Sequence, residues 1–401
     1  MARSAGVKSC WNSRIRIPAA CSIKLTIRPA STSSCRCGCE MPVTLLKGEN
    51  LRLYRRFEIQ PHPVLNLIVG TNAAGKTSLL EALFVAARGR SFRAQNLAEL
   101  CGTDRPQWHV FVEVGDSRSS HRIGLGWSRE GTEVHLDDER GARLADVVHA
   151  LPLQLIDPLA HRLLDEGPAY RRSFVDWGVF HVEHRFLDCW RRYQRALRQR
   201  NRALREQMPV KAIQAWDEEL VQSGEELNEM RARHVQAAAP GLEKWGLRLL
   251  ETSSVRCDWQ QGWPTDETLR DSLRRNLEQH QRVGSTVQGP HRAELRISLA
   301  DTRAKGRVSR GQQKMLIAAM VLAQAELLVQ SGTEPPVLLL DDFAAELAPE
   351  FQARLAEGLR TYAGQKFITA FEVPEGFSDS GQNGTMFHVE QGLIEARHRL
   401  H

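Results

Sequence analysis

The chain has 401 residues, of which 42% are hydrophobic and 25% are charged, a composition typical of soluble globular proteins with two or three domains. No stretch approaches the roughly 18 consecutive apolar residues of a transmembrane helix, which excludes one. The formal net charge is +6, but residues 1–40 contain seven basic residues and one acidic residue. The rest of the chain therefore holds 47 of each sign, and its charge predicts nothing about partners.

Residues 1–40 are rich in Ser, Arg and Cys and nearly free of acidic residues. They hold five of the eight cysteines, at positions 10, 21, 35, 37 and 39. A Cys-x-Cys-x-Cys run is compatible with a metal clip, but no histidine and no second ligand pair lie at zinc-finger spacing. We expect a disordered extension, for which a start codon chosen upstream of Met41 is one explanation. Cys101, Cys189 and Cys257 form no Cys-x-x-Cys pair, as is typical of a reducing cytoplasm.

From Met41 onward, short apolar runs separated by turn residues predict strands at Val43–Leu46, Phe57–Ile59 and Val64–Val69. Thr77–Arg88 has the periodicity of a helix whose buried side carries Leu79, Leu80, Leu83 and Phe84. Alternating residues between Trp108 and Leu144 predict an antiparallel meander.

The segment between the third strand and this helix has the pattern G-x-x-x-x-G-K-[ST]. Its residues are Gly70, Thr71, Asn72, Ala73, Ala74, Gly75, Lys76 and Thr77. In a strand–loop–helix context, backbone N–H groups of such a loop surround phosphates at the positive end of the helix. Lys76 would reach the β- and γ-phosphates, and the Thr77 hydroxyl would bind Mg²⁺. We therefore predict a nucleoside triphosphate site.

Gln154 lies in an apolar strand flanked by Pro152 and Pro158. A buried amide needs a hydrogen-bond partner. The functional candidate is a Mg²⁺-bound or attacking water, and the structural alternative is a backbone carbonyl.

Strand signals disappear from about Val182 to Val283, where long helical patterns predominate. One predicted helix has a stripe of arginines at positions 191, 195, 198, 202 and 205. The stripe could follow DNA phosphates and make binding sensitive to salt. The next helix offers another partner, because acidic residues flank its apolar seam of Ile213, Trp216, Leu220, Leu227, Met230 and His234. An antiparallel hairpin with flanking ion pairs is therefore the alternative, and both roles could be shared along the stripe.

Ser309-Arg310-Gly311-Gln312-Gln313 precedes an apolar helix from Lys314 to about Val329. Ser309 suits an N-cap, and the first turn could accept an anion. Further on, Val337–Leu340 predicts a buried strand that ends in Asp341 and Asp342. Asp341 could hold the Mg²⁺ shell, and Asp342 could orient or deprotonate the attacking water. Lys366–Thr369 predicts another strand.

The order of these motifs resembles the RecF family, whose heads are ABC-type ATPases related to SMC proteins. The resemblance covers everything after the extension, and it also involves Gly89–Arg93, Gly167–Asp176 and Gly289–Arg292. It implies an α/β P-loop ATPase head of the ABC type at 41–180 and 286–401, with an inserted helical, coiled-coil-like arm at 181–285. It also implies that Arg52, in Asn50-Leu51-Arg52, contacts the nucleotide.

The same resemblance implies that ATP and Mg²⁺ bind between the Gly70–Thr77 loop of one subunit and Ser309, Gly311 and Gln312 of a second. ATP would thus drive homodimerisation, with weak DNA-stimulated hydrolysis. The implied partners are single-stranded and gapped DNA together with RecR and RecO, which help to load RecA in the SOS response. No association with a membrane is implied. Two alternatives are the energising subunit of a transporter, which membrane fractionation would identify, and a nuclease. For the nuclease, no Glu followed by Asp-x-Asp is found after the head.

The chain departs from the family at one turn. Family members usually follow the paired aspartates with Ser-Glu-Leu-Asp, a part of the loop that links the two sites of the dimer. Here the turn is Ala345-Glu346-Leu347-Ala348, so both hydrogen-bonding ends are lost. We expect ATP binding to survive and coupling between the sites, or turnover, to change.

Overall fold

The computed structural model describes residues 41–400 except 103–104, 116–119, 138, 253, 300–301, 305–307 and 379–382. The predicted extension at 1–40, with its cysteine run, lies outside the described residues. In the described part the strands are β1 (Val43–Leu51), β2 (Tyr54–Ile59), β3 (Leu65–Val69), β4 (Trp108–Gly115), β5 (Ser120–Ser128), β6 (Gly131–Leu136), β7 (Glu139–Arg140), β8 (Leu153–Ile156), β9 (Val255–Gln260), β10 (Glu294–Leu299), β11 (Thr302–Arg303), β12 (Val337–Leu340), β13 (Lys366–Ala370), β14 (Gly384–Glu390) and β15 (Leu393–Leu400). The helices are α1 (Lys76–Arg88), α2 (Leu144–Ala150), α3 (Arg162–Asp165), α4 (Pro168–Val182), α5 (Phe186–Arg205), α6 (Val210–Gln214), α7 (Asp217–Leu250), α8 (Leu269–Arg275), α9 (Leu277–Val283), α10 (Arg310–Gln330), α11 (Pro349–Thr361) and α12 (Glu375–Ser378).

A six-stranded sheet in the order β15-β14-β3-β13-β12-β8 carries the predicted phosphate loop. The strands from β14 to β8 pair in parallel, and β15 is antiparallel to β14. β3 and β12 are buried along their whole length, as expected where other elements cover both faces of a parallel sheet. The strands predicted at Val337–Leu340 and Lys366–Thr369 are confirmed as β12 and β13.

The register of this sheet brings the phosphate loop and the paired aspartates to one edge. Leu340, the last residue of β12, lies opposite Ile156 of β8 and Ile368 of β13. The segments that follow β3, β8, β12 and β13 therefore leave the sheet at its carboxyl edge, where ligands bind in open α/β folds.

A second sheet, entirely antiparallel, has the order β2-β1-β4-β5-β6-β7. Its last four strands confirm the predicted meander. Helix α1 lies between the two sheets, and its Leu79 and Leu83 share one core with Ile68 of β3 and Val110 of β4. The phosphate loop is thus anchored at both ends, by a buried strand and by a buried helix.

Helices α5 and α7 form the antiparallel hairpin that the sequence offered as one alternative. Ion pairs show the direction of packing, because Arg200 pairs with Asp217 near the connection and Arg185 pairs with Glu226 farther away. Of the predicted seam, Leu220, Leu227, Met230 and His234 are buried on α7.

One expectation for this region is wrong, because the segment predicted to lack strands contains β9. β9 pairs with β10 in a three-stranded antiparallel sheet of order β11-β10-β9. Its sequence, Val-Arg-Cys-Asp-Trp-Gln, alternates apolar and polar residues, which is a strand signal. The signal is short and follows a 34-residue helix, and the helical pattern concealed it.

The described residues form one compact unit, and the helical region shares its core with the ATPase-like part. A single apolar cluster contains Leu65 of β3, Leu227 of α7 and Met320 of α10. The boundaries at 181 and 285 therefore remain predictions. No helix in the described ranges is long and apolar enough to cross a bilayer.

Candidate nucleotide-binding site

The loop between β3 and α1 has a backbone shape that depends on its glycines. Gly70 has a φ of 154°, and a Cβ there would lie 2.1 Å from the carbonyl oxygen of Val389. Gly75 has a φ of 117°, and a Cβ there would lie 2.6 Å from the hydroxyl of Tyr54. Side chains at these two positions would therefore push the loop off the sheet.

The first turn of α1 is suited to an anion. Gly75, its N-cap, contributes no side-chain hydrogen bond, and the turn has no acidic residue. The N–H groups and the positive end of the helix therefore face the loop without competition from a capping side chain. Lys76 Nζ donates to the carbonyl oxygens of Gly70 (2.7 Å) and Thr71 (2.8 Å). Burial lowers the pKa of Lys76, and the nearby Asp342 and Asp341 oppose this shift.

Asp341, at the end of β12, joins the phosphate loop to the sheet edge. Its Oδ1 accepts hydrogen bonds from the hydroxyls of Thr77 (2.9 Å) and Thr369 (2.8 Å). Burial raises the pKa of Asp341, and both hydroxyls act against that shift. A hydroxyl beside a carboxylate is a suitable pair of ligands for Mg²⁺, which takes one or two carboxylates and completes its shell with phosphates and water. The described residues contain no group of three His, Cys, Asp or Glu side chains that could hold a metal alone.

Asp342 turns the chain away from the sheet in a left-handed conformation, with a φ of 53°. Its N–H donates to Thr369 Oγ1 (2.8 Å), and the residue is exposed at the carboxyl edge. Asp342 therefore lies next to Asp341 at the edge, and its role on the attacking water stays a prediction.

The serine turn has the predicted geometry, with Ser309 as the N-cap of α10. Its Oγ accepts from the N–H of Gln312 (3.2 Å), and Gln312 Oε1 accepts from the N–H of Ser309 (3.0 Å). This is a capping box, in which the serine hydroxyl keeps its own proton for a further acceptor. Gly311 is buried, and a Cβ there would lie 3.1 Å from the carbonyl oxygen of Glu346.

Gln154 lies apart from this group, and its contact with Mg²⁺ or water stays a prediction. It lies opposite Leu338, two residues before the end of β8, and is 7% exposed. Its Nε2 donates to Oε1 of Gln324 on α10 (2.6 Å). For Nε2, the partner is therefore a second buried amide and not the backbone carbonyl that the sequence offered as the alternative.

Arg52 is held by α1 through the buried Glu81. Its Nε and Nη2 donate to the two carboxylate oxygens of Glu81 at 2.8 Å each, and Nη1 donates to the carbonyl of Glu99 (2.9 Å). The hydrogen bond to Glu81 raises the pKa of Arg52. The guanidinium thus holds the helix behind the loop, and its contact with nucleotide stays a prediction.

Sequence reasoning missed Asp157 and Arg93. Asp157 directly follows β8, and burial together with the charge of Asp341 raises its pKa to about 6. Arg93 is exposed, and its charge lowers the pKa of Asp341. Asp157 follows an apolar strand just as Asp341 does, and that signal could have identified it. Arg93 depends on the path of the loop after α1, which no local pattern gives.

The arginine stripe on α5 faces solvent. Arg195, Arg198, Arg202 and Arg205 are exposed, and Arg202 pairs with Glu206 of its own helix. The pairs with α7 are made by arginines outside the stripe, namely Arg185 just before α5 and Arg192 and Arg200 within it. The hairpin's ion pairs therefore use other arginines than the exposed stripe, and the role of the stripe in DNA binding stays a prediction.

Three features define an ABC-type ATPase head. The parallel part of the sheet carries a phosphate loop at its carboxyl edge, an aspartate suited to Mg²⁺ follows the strand two positions away, and a serine caps the helix of the third motif. Residues 43–395 match the family described as the RecF/RecN/SMC N-terminal domain. The chain is 37% identical over 359 residues to the DNA replication and repair protein RecF of Thioalkalivibrio sulfidiphilus, covering 88% of this chain and 99% of that protein. The chain belongs to the RecF family.

Two further comparisons agree. The protein of the same name from Haemophilus influenzae strain Rd is 35% identical over 357 residues, covering 89% of this chain and 99% of the relative. A solved structure of the recombination mediator protein RecF with ATP, in the RecFOR pathway, superposes with a TM-score of 0.77 at 22% identity. This match covers 90% of this chain and 99% of the chain in the solved structure, and it supports the assignment of the fold. The family assignment favours a RecF-type head over a transporter subunit.

Proposed function

We propose that this protein is an ATP-dependent DNA-binding protein of recombinational gap repair and replication that dimerises on binding Mg·ATP. The observation that carries the proposal is the Thr77–Asp341 hydrogen bond of 2.9 Å. It joins the phosphate loop to the strand end that supplies a carboxylate. Gly70–Thr77 would hold the phosphates, and Thr77 and Asp341 would hold Mg²⁺, which neutralises charge on the β- and γ-phosphate oxygens when bound.

In this proposal the site is completed by a second copy of the chain. Ser309 is exposed at the start of a 21-residue helix and retains a hydroxyl proton for a phosphate oxygen. Together with Gly311 and Gln312, it would close on nucleotide held by the other subunit. Asp342 would orient the water for slow hydrolysis, which reopens the dimer.

The DNA would be held at least partly by the arginine stripe of α5. Its exposed members, Arg195, Arg198, Arg202 and Arg205, repeat along one helix face and match the phosphate backbone as point charges. Such contacts position DNA without reading its sequence. Binding to gaps and to junctions between single strands and duplex is inferred from the family of repair proteins to which the chain belongs.

The biological setting follows from relatives named as DNA replication and repair proteins and from a structural neighbour described as a recombination mediator of the RecFOR pathway. We infer that this protein acts in the cytoplasm with RecO and RecR to load RecA on gapped DNA, within the SOS response.

The test is a Lys76→Met variant, which keeps side-chain length but removes the ammonium from the phosphate loop. Wild type should change from monomer to dimer on a sizing column when ATP and gapped DNA are added, and the variant should stay monomeric and lose DNA retention. Lys47→Met is the matched control, because Lys47 pairs with Glu58 on the antiparallel sheet (3.2 Å) and is 40% exposed. ATP-dependent dimerisation of the Lys76→Met variant would contradict the proposal.

A further inference from the structure

The turn that follows the paired aspartates has little side-chain support of its own. Asp342 and Glu346 both have left-handed backbones, with φ values of 53° and 63°. Ala345 and Ala348 have only methyl groups, and Ala348 begins α11 without a side-chain cap. A turn of this kind needs external hydrogen bonds to keep one conformation.

Lys314 of α10 supplies these bonds. Its Nζ donates to the carbonyl oxygens of Asp342 (2.8 Å), Phe343 (3.2 Å) and Ala345 (3.0 Å). An ammonium has three donors, so the turn uses all of them. The residue is 5% exposed. Burial lowers the pKa of Lys314 to about 8 against the opposing charges of Asp342 and Glu346, so the structure keeps a cation in an unfavourable place.

Gly311, one turn before Lys314, packs against the same turn. A Cβ at Gly311 would meet the carbonyl oxygen of Glu346 at 3.1 Å and the Phe351 ring at 3.4 Å. Gly311 and Lys314 are three residues apart and share a helix face. The first two turns of α10 and residues 342–346 therefore form one packed body, and on its other side Thr369 accepts from the N–H of Asp342.

We propose that Lys314 is a positioning residue that fixes Asp342 relative to Ser309 and so couples the two nucleotide sites of the dimer. This inference rests on the proposed function, in which Ser309 contacts nucleotide held by the partner while Asp342 serves nucleotide held by its own subunit. Because a helix is rigid over five residues, a displacement of Ser309 on closure reaches Asp342 through the ammonium. Lys314 thus supplies hydrogen bonds to the turn that the methyl groups of Ala345 and Ala348 cannot supply.

The first test needs no nucleotide. Lys314→Met keeps the length of the side chain and removes its donors, and hydrogen–deuterium exchange is followed over residues 341–348. We expect exchange at least tenfold faster than in wild type, with unchanged exchange in β3 and α1. Lys244→Met is the control, since it removes a half-exposed ammonium that binds Glu326 of the same α10 (2.8 Å). Exchange within twofold of wild type for Lys314→Met would overturn the proposal.

The second test separates positioning from general loss of structure. For Lys314→Met we expect the Kd for Mg·ATP to stay within threefold of wild type and kcat to fall at least tenfold. We expect Lys314→Arg, which keeps a cation, to recover most of kcat. A wild-type kcat in Lys314→Met, or equal losses of binding and turnover, would contradict the inference. If wild type itself neither dimerises nor hydrolyses ATP, the proposed function and the coupling both fail, and exchange still decides whether Lys314 positions the turn.

Discussion

The hydroxyl of Thr77 donates to Oδ1 of Asp341 at 2.9 Å, across 264 positions of sequence. The same oxygen accepts from Thr369 at 2.8 Å, so two hydroxyls hold one carboxylate. The two threonines differ in position, because Thr77 belongs to the phosphate loop and Thr369 to the neighbouring strand β13. The pair therefore allows metal binding to be separated from support of the carboxylate.

We expect Thr77→Val to lower the affinity for Mg·ATP at least tenfold while affinity measured in EDTA changes by less than threefold, because the lost oxygen is a metal ligand. Thr369→Val should instead lower the free energy of unfolding by about 2 kcal/mol, since it removes two hydrogen bonds of a buried side chain, one donated to Asp341 Oδ1 and one accepted from the N–H of Asp342. Titration with a fluorescent ATP analogue and urea unfolding measure both. Equal effects of the two variants on Mg²⁺ dependence would contradict the assignment.

A second prediction concerns the buried ion pair in the helical hairpin. Arg200 is fully buried and its Nε lies 2.7 Å from Asp217 Oδ1. Arg200→Met leaves the carboxylate largely buried without its partner, which should lower the free energy of unfolding by about 3 kcal/mol. Arg185→Met breaks the pair with Glu226 at the surface, where the arginine side chain is 80% exposed. This variant should change the free energy of unfolding by less than about 1 kcal/mol. Urea unfolding of both variants measures the difference.

Much of the fold can be predicted from the sequence because the strands and the phosphate loop have strong local patterns. The continuous run Val337–Leu340 and the glycine loop at Gly70–Thr77 each predict one structure at one place. The hydrogen-bond partner of Gln154, in contrast, could not be predicted from a local pattern. Its role depends on register within the sheet, and the partner Gln324 lies 170 residues away. The contacts of Lys314 could not be predicted either, because its three acceptors are backbone carbonyls of a distant turn, which no side-chain pattern reveals.

A third prediction concerns pH. His291 is partly buried, with Nδ1 2.6 Å from the Tyr193 hydroxyl and Nε2 2.9 Å from the carbonyl of Thr286. Burial lowers its pKa to about 4, below the value near 6.5 of an unfolded histidine. The unfolded chain therefore binds more protons between these values, and stability should be lost as the pH falls from 6.5 to 4.

Buried His234 and His280 also have pKa values lowered to about 4, so they add to this loss. His291→Gln keeps one donor and one acceptor but does not titrate. We expect it to reduce the slope of unfolding free energy against pH by about 1 kcal/mol per pH unit in this window. Urea unfolding at several pH values measures the slope, and an unchanged slope would show that His291 does not titrate on unfolding.

A fourth prediction tests the exposed arginines of α5. Replacing Arg195, Arg198 and Arg202 with Ala should weaken binding to gapped DNA and lower the steepness of its salt dependence by about 0.7–0.9 per lost phosphate contact. The variant should unfold at the same urea concentration, since these side chains are exposed. The charge-matched control replaces Lys47, Arg55 and Arg56 on β1 and β2. A salt dependence equal to that of wild type would place the DNA elsewhere.

The last prediction follows from the position of Gln154 inside the sheet. Gln154→Leu leaves Oε1 of Gln324 buried without its donor, so the free energy of unfolding should fall by about 1–3 kcal/mol. The affinity for Mg·ATP should stay within twofold of wild type, because Gln154 lies two residues before the carboxyl end of β8. Asp157→Asn is the contrasting variant, because the charge of Asp341 raises the pKa of Asp157 and the two carboxyl groups therefore interact. Loss of the Asp157 carboxylate should change the Mg²⁺ concentration needed for nucleotide binding. Should Gln154→Leu alter that Mg²⁺ requirement while Asp157→Asn does not, Gln154 would have to reach the metal in another conformation of β8.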